Sequence, residues 1–304
     1  MIIAVFPGQG SQTPGFLTPW LQLDGAADRL AEYSEWAGVD LTAAGTEWDA
    51  ERIRDTQVAQ PLIVAASLLS WGAVADRDAF AGVAGHSVGE FAAAAAAGVL
   101  SEEDALRLVG IRGRAMAEAA SAEQTGMSAI IGGDQDAIVA RLDELDLTPA
   151  NYNGAGQLVA AGSLPALQAL AADPPAGTRV IPLQVAGAFH TRYMAPAVDA
   201  LRQAAGAITP ADPDRRIWSN RDGASIGSGA EFVDLLVDQV ASPVRWDLCM
   251  AAFAADDVTG IVELSPAGTL IGLAKRALRG VPGVAVKTPD DLSAAQALLR
   301  SVAA

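Results

Sequence analysis

Residues 81–97 read AGVAGHSVGEFAAAAAA. A brief apolar run, Ala81 to Ala84, ends at Gly85, and Glu90 to Ala97 is a strong helix former. Between them Gly85-His86-Ser87-Val88-Gly89 satisfies G-x-S-x-G. Strand, sharp turn and helix in that order are what a nucleophile elbow requires. The turn lifts the serine Oγ clear of a sheet and aims a helix N-terminus at it. Side chains at the two glycines would crowd the strand-to-helix approach. In a glycine-rich chain the five-residue pattern also arises by chance, so its placement between strand and helix carries the reading.

Upstream, Ile2 to Phe6 reads as a buried strand followed by the turn-forming loop Pro7 to Gln12, and Asp55 to Leu69 has apolar residues at helical spacing. Downstream, Ser101-Glu102-Glu103-Asp104 is a helix start of capping-box type. Ala105, Leu108, Val109, Arg112 and Met116 then recur at helical spacing, which puts Arg112 on the apolar face. From about Gly126 the order is strand (Met127 to Ile131), helix (Gln135 to Leu145), strand (Leu147 to Asn151), strand (Gln157 to Ala161), helix (Pro165 to Ala172) and strand (Arg179 to Val185). This is the βαββαβ order of a ferredoxin-like unit. Helix and strand alternate again from about Arg192, with Ile261 to Leu264 as another buried strand. The expected fold is α/β: a large α/β-hydrolase-like domain with a parallel sheet, residues 1–124 and 192–304, and an inserted ferredoxin-like domain, residues 125–191.

The 304 residues, 51% hydrophobic, suffice for a sizeable core. The apolar start, Met1 to Phe6, lacks a basic leader, and the longest apolar stretch, around Phe91 to Leu100, is too short to span a bilayer. A cytoplasmic protein without membrane partners is expected. The net charge of −16, with Lys275 and Lys287 as the only lysines, argues against nucleic acid. The single cysteine, Cys249, and two histidines exclude an internal disulfide and disfavour a structural zinc site, so no metal is expected.

A serine nucleophile needs a base. His86, beside Ser87 in a tight turn, should point away from the Oγ. That leaves His190, in a loop just after the last strand of the inserted unit; a merely packed or solvated histidine is the alternative. The loop Gly8-Gln9-Gly10-Ser11-Gln12 lacks both the last glycine of G-x-G-x-x-G and a G-K-[ST] end, which argues against nucleotide binding.

At this point the chain resembles the malonyl-CoA:acyl carrier protein transacylases of fatty acid synthesis and the acyltransferase domains of polyketide synthases. The motifs run along essentially the whole length: FPGQGSQ (6–12), GHSVGE (85–90), RGRAM (112–116), NYNGAGQ (151–157), FHT (189–191), SPVRW (242–246) and LSPAGTLIGL (264–273). The resemblance implies that Ser87 is acylated with His190 as its base, and that the backbone N–H groups of Gln9 and Val88 form the oxyanion hole. It implies that Arg112 pairs with the free carboxylate of the malonyl group, for which its planar fork is suited; a structural ion pair with a protein carboxylate is the alternative. No third acid of a triad is evident. The resemblance has a backbone carbonyl near Gln239 orient the histidine, with help from Asn153 open, and places Gln60 near the active site. Val88 departs from the leucine or glutamine common after the serine, and Phe189 before the histidine is similar to malonyl-selective members.

The implied reaction is a ping-pong transfer of malonyl from malonyl-CoA to the phosphopantetheine thiol of acyl carrier protein, without cofactors. A monomer in fatty acid rather than polyketide synthesis is expected. A serine thioesterase or esterase of α/β-hydrolase type is the enzymatic rival, disfavoured because its histidine should lie near the C-terminus after an acidic partner. A non-catalytic docking subunit is the rival of another class, disfavoured by the presence of both serine and histidine. An acidic carrier protein would need a local basic surface on this acidic chain. Lys275, Arg276 and Arg279 are the expected cluster, with Arg192 and Arg245 as additions, against the plain alternative of a solvated helix face.

Overall fold

The computed structural model describes residues 1–303. Its strands are β1 (Ile2–Phe6), β2 (Gly82–Gly85), β3 (Thr125–Gly132), β4 (Thr148–Gly154), β5 (Gln157–Ser163), β6 (Thr178–Pro182), β7 (Arg216–Trp218), β8 (Ser225–Ile226), β9 (Gly260–Glu263) and β10 (Gly283–Ala285). Six form one sheet in the order β10-β9-β1-β2-β7-β8. Every neighbouring pair is parallel except β7 with β8. The unbroken apolar runs at β1 and β9 fit this arrangement, because crossover helices cover both faces of a parallel sheet and leave no wet side to alternate toward.

Register in this sheet positions the site. Phe6 of β1 lies opposite Gly85 of β2, so the Pro7 to Gln12 loop and the Ser87 turn leave the sheet side by side. The chain after β7 and after β9 emerges at the same carboxyl edge, where open parallel sheets present their ligand-binding crevices. Helix Thr269–Ala277 starts there because the buried Glu263 carboxylate at the end of β9 accepts the N–H groups of Gly268, Leu270 and Ile271 at 2.8–3.0 Å. A carboxylate suits that position, satisfying orphan donors and facing the positive end of the helix dipole.

The second sheet is antiparallel, in the order β4-β5-β3-β6, and helices Gln135–Glu144 and Leu164–Ala172 complete the βαββαβ order read from the sequence. Boundaries shift by one to three residues: β4 extends to Gly154, and β6 ends at Pro182 rather than Val185. Leu183, Gln184 and Val185 instead leave the sheet and line the cleft. A bridge between Asn151 and Val244 ties β4 to the chain just after Gln239.

Two long helices bring in the remaining site residues. Glu102–Ala122 begins where Ser101 Oγ accepts the Asp104 N–H, and it buries Arg112 on its apolar face as the spacing requires. Thr56–Ala73, buried along nearly its whole length, carries Gln60. Among the described residues, no helix is long and apolar enough to cross a membrane.

Candidate active site

A cleft of about 570 Å³ lies between the two sheets, with Gln9, Ser87 and Leu273 on the side of the parallel sheet and Met127, Ala129 and Val159 on the other. Ser87 has φ of 52°, the left-handed region that a serine adopts only when its surroundings hold it there. The flanking glycines make the turn possible: a Cβ on Gly85 would stand 2.1 Å from the Glu90 nitrogen, and one on Gly89 would stand 2.2 Å from the Phe6 oxygen. The turn is also held from afar. Asn220, two residues beyond β7, accepts the Ser87 N–H at Oδ1 (2.7 Å) and donates from Nδ2 to the Gly85 carbonyl (2.8 Å).

His190 Nε2 lies 2.7 Å from Ser87 Oγ, and Nδ1 lies 2.8 Å from the carbonyl oxygen of Gln239. A carbonyl only accepts, so Nδ1 carries the proton and Nε2 is left as the acceptor facing the serine hydroxyl. The arrangement is therefore a serine–histidine pair with a backbone carbonyl in the place of a triad acid. Burial, and then the Arg112 charge, push the His190 pKa down to about 3. Both disfavour the imidazolium, so the ring is a neutral base at neutral pH. His86 is the other histidine; its Nε2 lies 2.9 Å from Asn153 Oδ1 and its ring meets Trp246 edge-on. Asn153 thus lines the cleft but holds His86, a correction to the expectation that it helps orient His190. The reason is the side from which each residue arrives: Asn153 comes from β4, next to the turn, and His190 meets the Gln239 carbonyl from the loop after β6.

Gln9 and Val88 both line the cleft, and among the described residues the N–H of neither donates to a protein acceptor. Two unspent donors beside a serine Oγ have the chemistry an oxyanion requires. Arg112, only 1% exposed, donates from Nη1 to Gln60 Oε1 (2.5 Å) and from Nη2 to Gln239 Oε1 (3.0 Å), while Nε is buried without a partner. It forms no direct salt bridge among the described residues; the nearby buried carboxylate, Glu90, is joined to it through Gln239. The direct hydrogen-bond partners of Arg112 are neutral oxygens, which leave the guanidinium charge in the cleft without a directly bound protein anion. Gln60 also donates to Met116 Sδ at 3.4 Å, and Phe189 is buried in the cleft wall.

Two further site residues escaped the sequence reading. Glu90 is buried, with Oε1 accepting the Asn220 N–H at 2.6 Å and Oε2 accepting from Gln239 Nε2. Burial pushes its pKa up to about 8, against the opposing Asn220 N–H, Arg112 charge and Gln239 amide. Its signal was a carboxylate at the head of an otherwise apolar helix. Asn220 carried only a weak signal, a polar residue directly after the short apolar strand at Ile217 and Trp218.

Lys275, Arg276 and Arg279 are exposed and form no salt bridge among the described residues; the first two lie in the last turn of helix Thr269–Ala277, whose first turn lines the cleft. Arg192 and Arg245 are instead paired, with Asp146 and Asp247. Among the described residues, no group of three or more His, Cys, Asp or Glu is placed to hold a metal ion.

Residues 3–291 match the acyl transferase domain family. The malonyl CoA-acyl carrier protein transacylase of Mycobacterium tuberculosis is 56% identical over 296 residues, covering 96% of this chain and 98% of that one. The crystal structure of the enzyme named MCAT from the same organism superposes with a TM-score of 0.93 at 56% identity, covering 97% of this chain and 99% of that one. A type II polyketide acyl-carrier protein in complex with its malonyl-transacylase matches with a TM-score of 0.89 at 31% identity, covering 97% and 98%. Sequence, fold and site agree, and the chain belongs to the acyl transferase domain family.

Proposed function

We propose that this chain is an acyltransferase that moves a malonyl group from malonyl-CoA to the phosphopantetheine thiol of an acyl carrier protein in fatty acid biosynthesis. The names of its relatives supply the substrate and the carrier protein. The observation that carries the chemistry is the 2.7 Å contact between Ser87 Oγ and an imidazole whose other nitrogen is occupied by a carbonyl.

In the first half-reaction His190 takes the Ser87 proton as Oγ attacks the thioester carbonyl. The oxyanion is received by the Gln9 and Val88 N–H groups. As the C–S bond breaks, His190 returns the proton to the CoA sulfur, leaving malonyl-Ser87. In the second half-reaction His190 deprotonates the carrier thiol, which attacks the ester carbonyl, and the proton ends on Ser87 Oγ. The malonyl carboxylate is held throughout by Arg112, whose unpartnered Nε provides a donor next to the fork. Nothing in this sequence of steps calls for a metal or redox group. A hydrolytic serine enzyme would have little use for a buried cation committed to an acyl carboxylate, which favours transfer over the esterase reading.

The same proposal includes the finer architecture: an α/β-hydrolase-like unit of residues 1–124 and 192–304, with a ferredoxin-like unit of residues 125–191 inserted so that the acyl chain is enclosed between them. It also includes carrier docking at Lys275, Arg276 and Arg279.

The test is intact-protein mass spectrometry after mixing with malonyl-CoA. One malonyl adduct on Ser87 is expected, and none in Ser87→Ala. An adduct that persists in the variant, or maps to another residue, refutes the assignment.

A further inference from the structure

Glu90 has no part in the steps above, yet a carboxylate buried in a helix of glycine, phenylalanine and alanine is costly unless its oxygens are bonded. Both are, and the two partners are the residues that hold the reacting groups. Through Oε1 it accepts the backbone N–H of Asn220, whose side chain fixes the Ser87 turn. Through Oε2 it accepts from Gln239 Nε2, whose Oε1 accepts from Arg112 at 3.0 Å.

The second connection has a direction built into it. A glutamine amide is nearly symmetric in shape and opposite in polarity at its two ends. Rotated by half a turn, Gln239 would set its NH2 against the Arg112 guanidinium and its oxygen against the Ser87 carbonyl, repulsive contacts in place of attractive ones. Both Glu90 oxygens are placed as acceptors, one toward the Asn220 N–H and the other toward the Gln239 NH2, and with the amide received in that way its oxygen is offered to Arg112.

We propose that Glu90 is a positioning residue for recognition of the acyl carboxylate: by receiving the Gln239 amide it aims Gln239 Oε1 at Arg112 and holds the guanidinium in the pose that takes a dicarboxylic acyl group. Gln239 Nε2 also reaches the Ser87 carbonyl (3.2 Å) and Asn220 Oδ1 (3.4 Å), so this arm touches the nucleophile turn as well, and only the malonyl-to-acetyl ratio isolates it; the proposal rests on the reading of Arg112 and Ser87 given above.

Glu90→Gln alters the Gln239 contact and keeps the direct one to Asn220. Its amide oxygen still accepts the Asn220 N–H, so the Ser87 turn is kept. Its NH2 faces the Gln239 NH2, and relief of that contact turns Gln239 away from Arg112. The kcat/KM for acylation of Ser87 by malonyl-CoA should fall by about tenfold to a hundredfold, the range for losing an oriented hydrogen bond to a charged group, while that for acetyl-CoA changes less than about threefold. Gln239→Met removes the same arm together with the contact to the Ser87 carbonyl and keeps the backbone carbonyl that holds His190, so a loss common to both thioesters is added to the same fall in the malonyl-to-acetyl ratio, and the double variant should lower that ratio no further than Gln239→Met alone. Equal losses for both thioesters, or malonyl rates within about threefold of the parent, overturn the proposal. If Glu90→Gln does not fold, Gln239→Met decides alone by the same criterion. The side-chain 15N resonances of Arg112 read the arm without catalysis and should move alike in both variants. Resonances that stay in place refute the Glu90 arm whatever becomes of Ser87, whereas failure of the parent protein to take malonyl on Ser87 refutes the functional reading instead.

Discussion

Replacing Arg112 with alanine tests the reading of the cleft most directly, because the structure divides its consequences into two parts. The first part is common to every substrate. Gln60 Oε1 and Gln239 Oε1 each lose their guanidinium donor in a buried setting, at about 1–3 kcal/mol apiece, and a cavity opens on the apolar face of helix Glu102–Ala122. This should lower stability and slow all acyl transfers alike. The second part applies only to acyl groups that end in a carboxylate. Removing one partner of a buried charge pair costs about 3–5 kcal/mol, which corresponds to roughly a hundredfold to several thousandfold in rate. The common part cancels in the ratio of kcat/KM for malonyl-CoA to that for acetyl-CoA, so the ratio should fall by the second factor. Acetyl transfer should fall by the common part alone, since acetyl leaves no charge stranded in the cleft. Quenched-flow mass spectrometry of the Ser87 adduct with each thioester measures both numbers. A ratio unchanged within about threefold would show that Arg112 is only a structural element.

Two other outcomes follow from the electrostatics. His190 must be neutral to act as base, and its pKa is depressed, so the active form persists as the pH falls; acylation rates should stay nearly flat from pH 7, below the Glu90 titration, down to 5, and a half-loss near 6.5 would show that the imidazole is not held as described. Reversing Lys275 and Arg276 to glutamate should raise the apparent KM for the carrier protein and weaken its salt dependence while leaving acylation by malonyl-CoA unchanged; stopped-flow measurement of the two half-reactions separates these, and normal transfer to the carrier across a range of salt would move the docking surface elsewhere.

Features that depend on neighbours in the chain were legible in the residues alone. The Ser87 turn between strand and helix, the helix start at Ser101, the burial of Arg112 and the βαββαβ order all follow from residue spacing and turn chemistry, which act over a few residues. His190 could be reached as the partner of Ser87 because only two histidines exist and one is tied into the turn. The family motifs extended this to Gln9, Val88 and Gln60, residues that nothing in their local pattern would single out.

Tertiary structure decided the partners. Asn220 reaches Ser87, Gln239 reaches Glu90 and Arg112, and Asn153 goes to His86 rather than to His190, all between residues far apart in the chain. Arg192 and Arg245, equal to Arg276 as charges in a sequence, are occupied by Asp146 and Asp247. The physical reason is that hydrogen bonds and ion pairs depend on distance and orientation within a few tenths of an ångström, and these are set by register and packing. The sequence determined which groups the chain has to spend and where its local turns fall; only the folded sheet, by placing Phe6 level with Gly85 and the ends of β7 and β9 beside them, decided which of those groups meet.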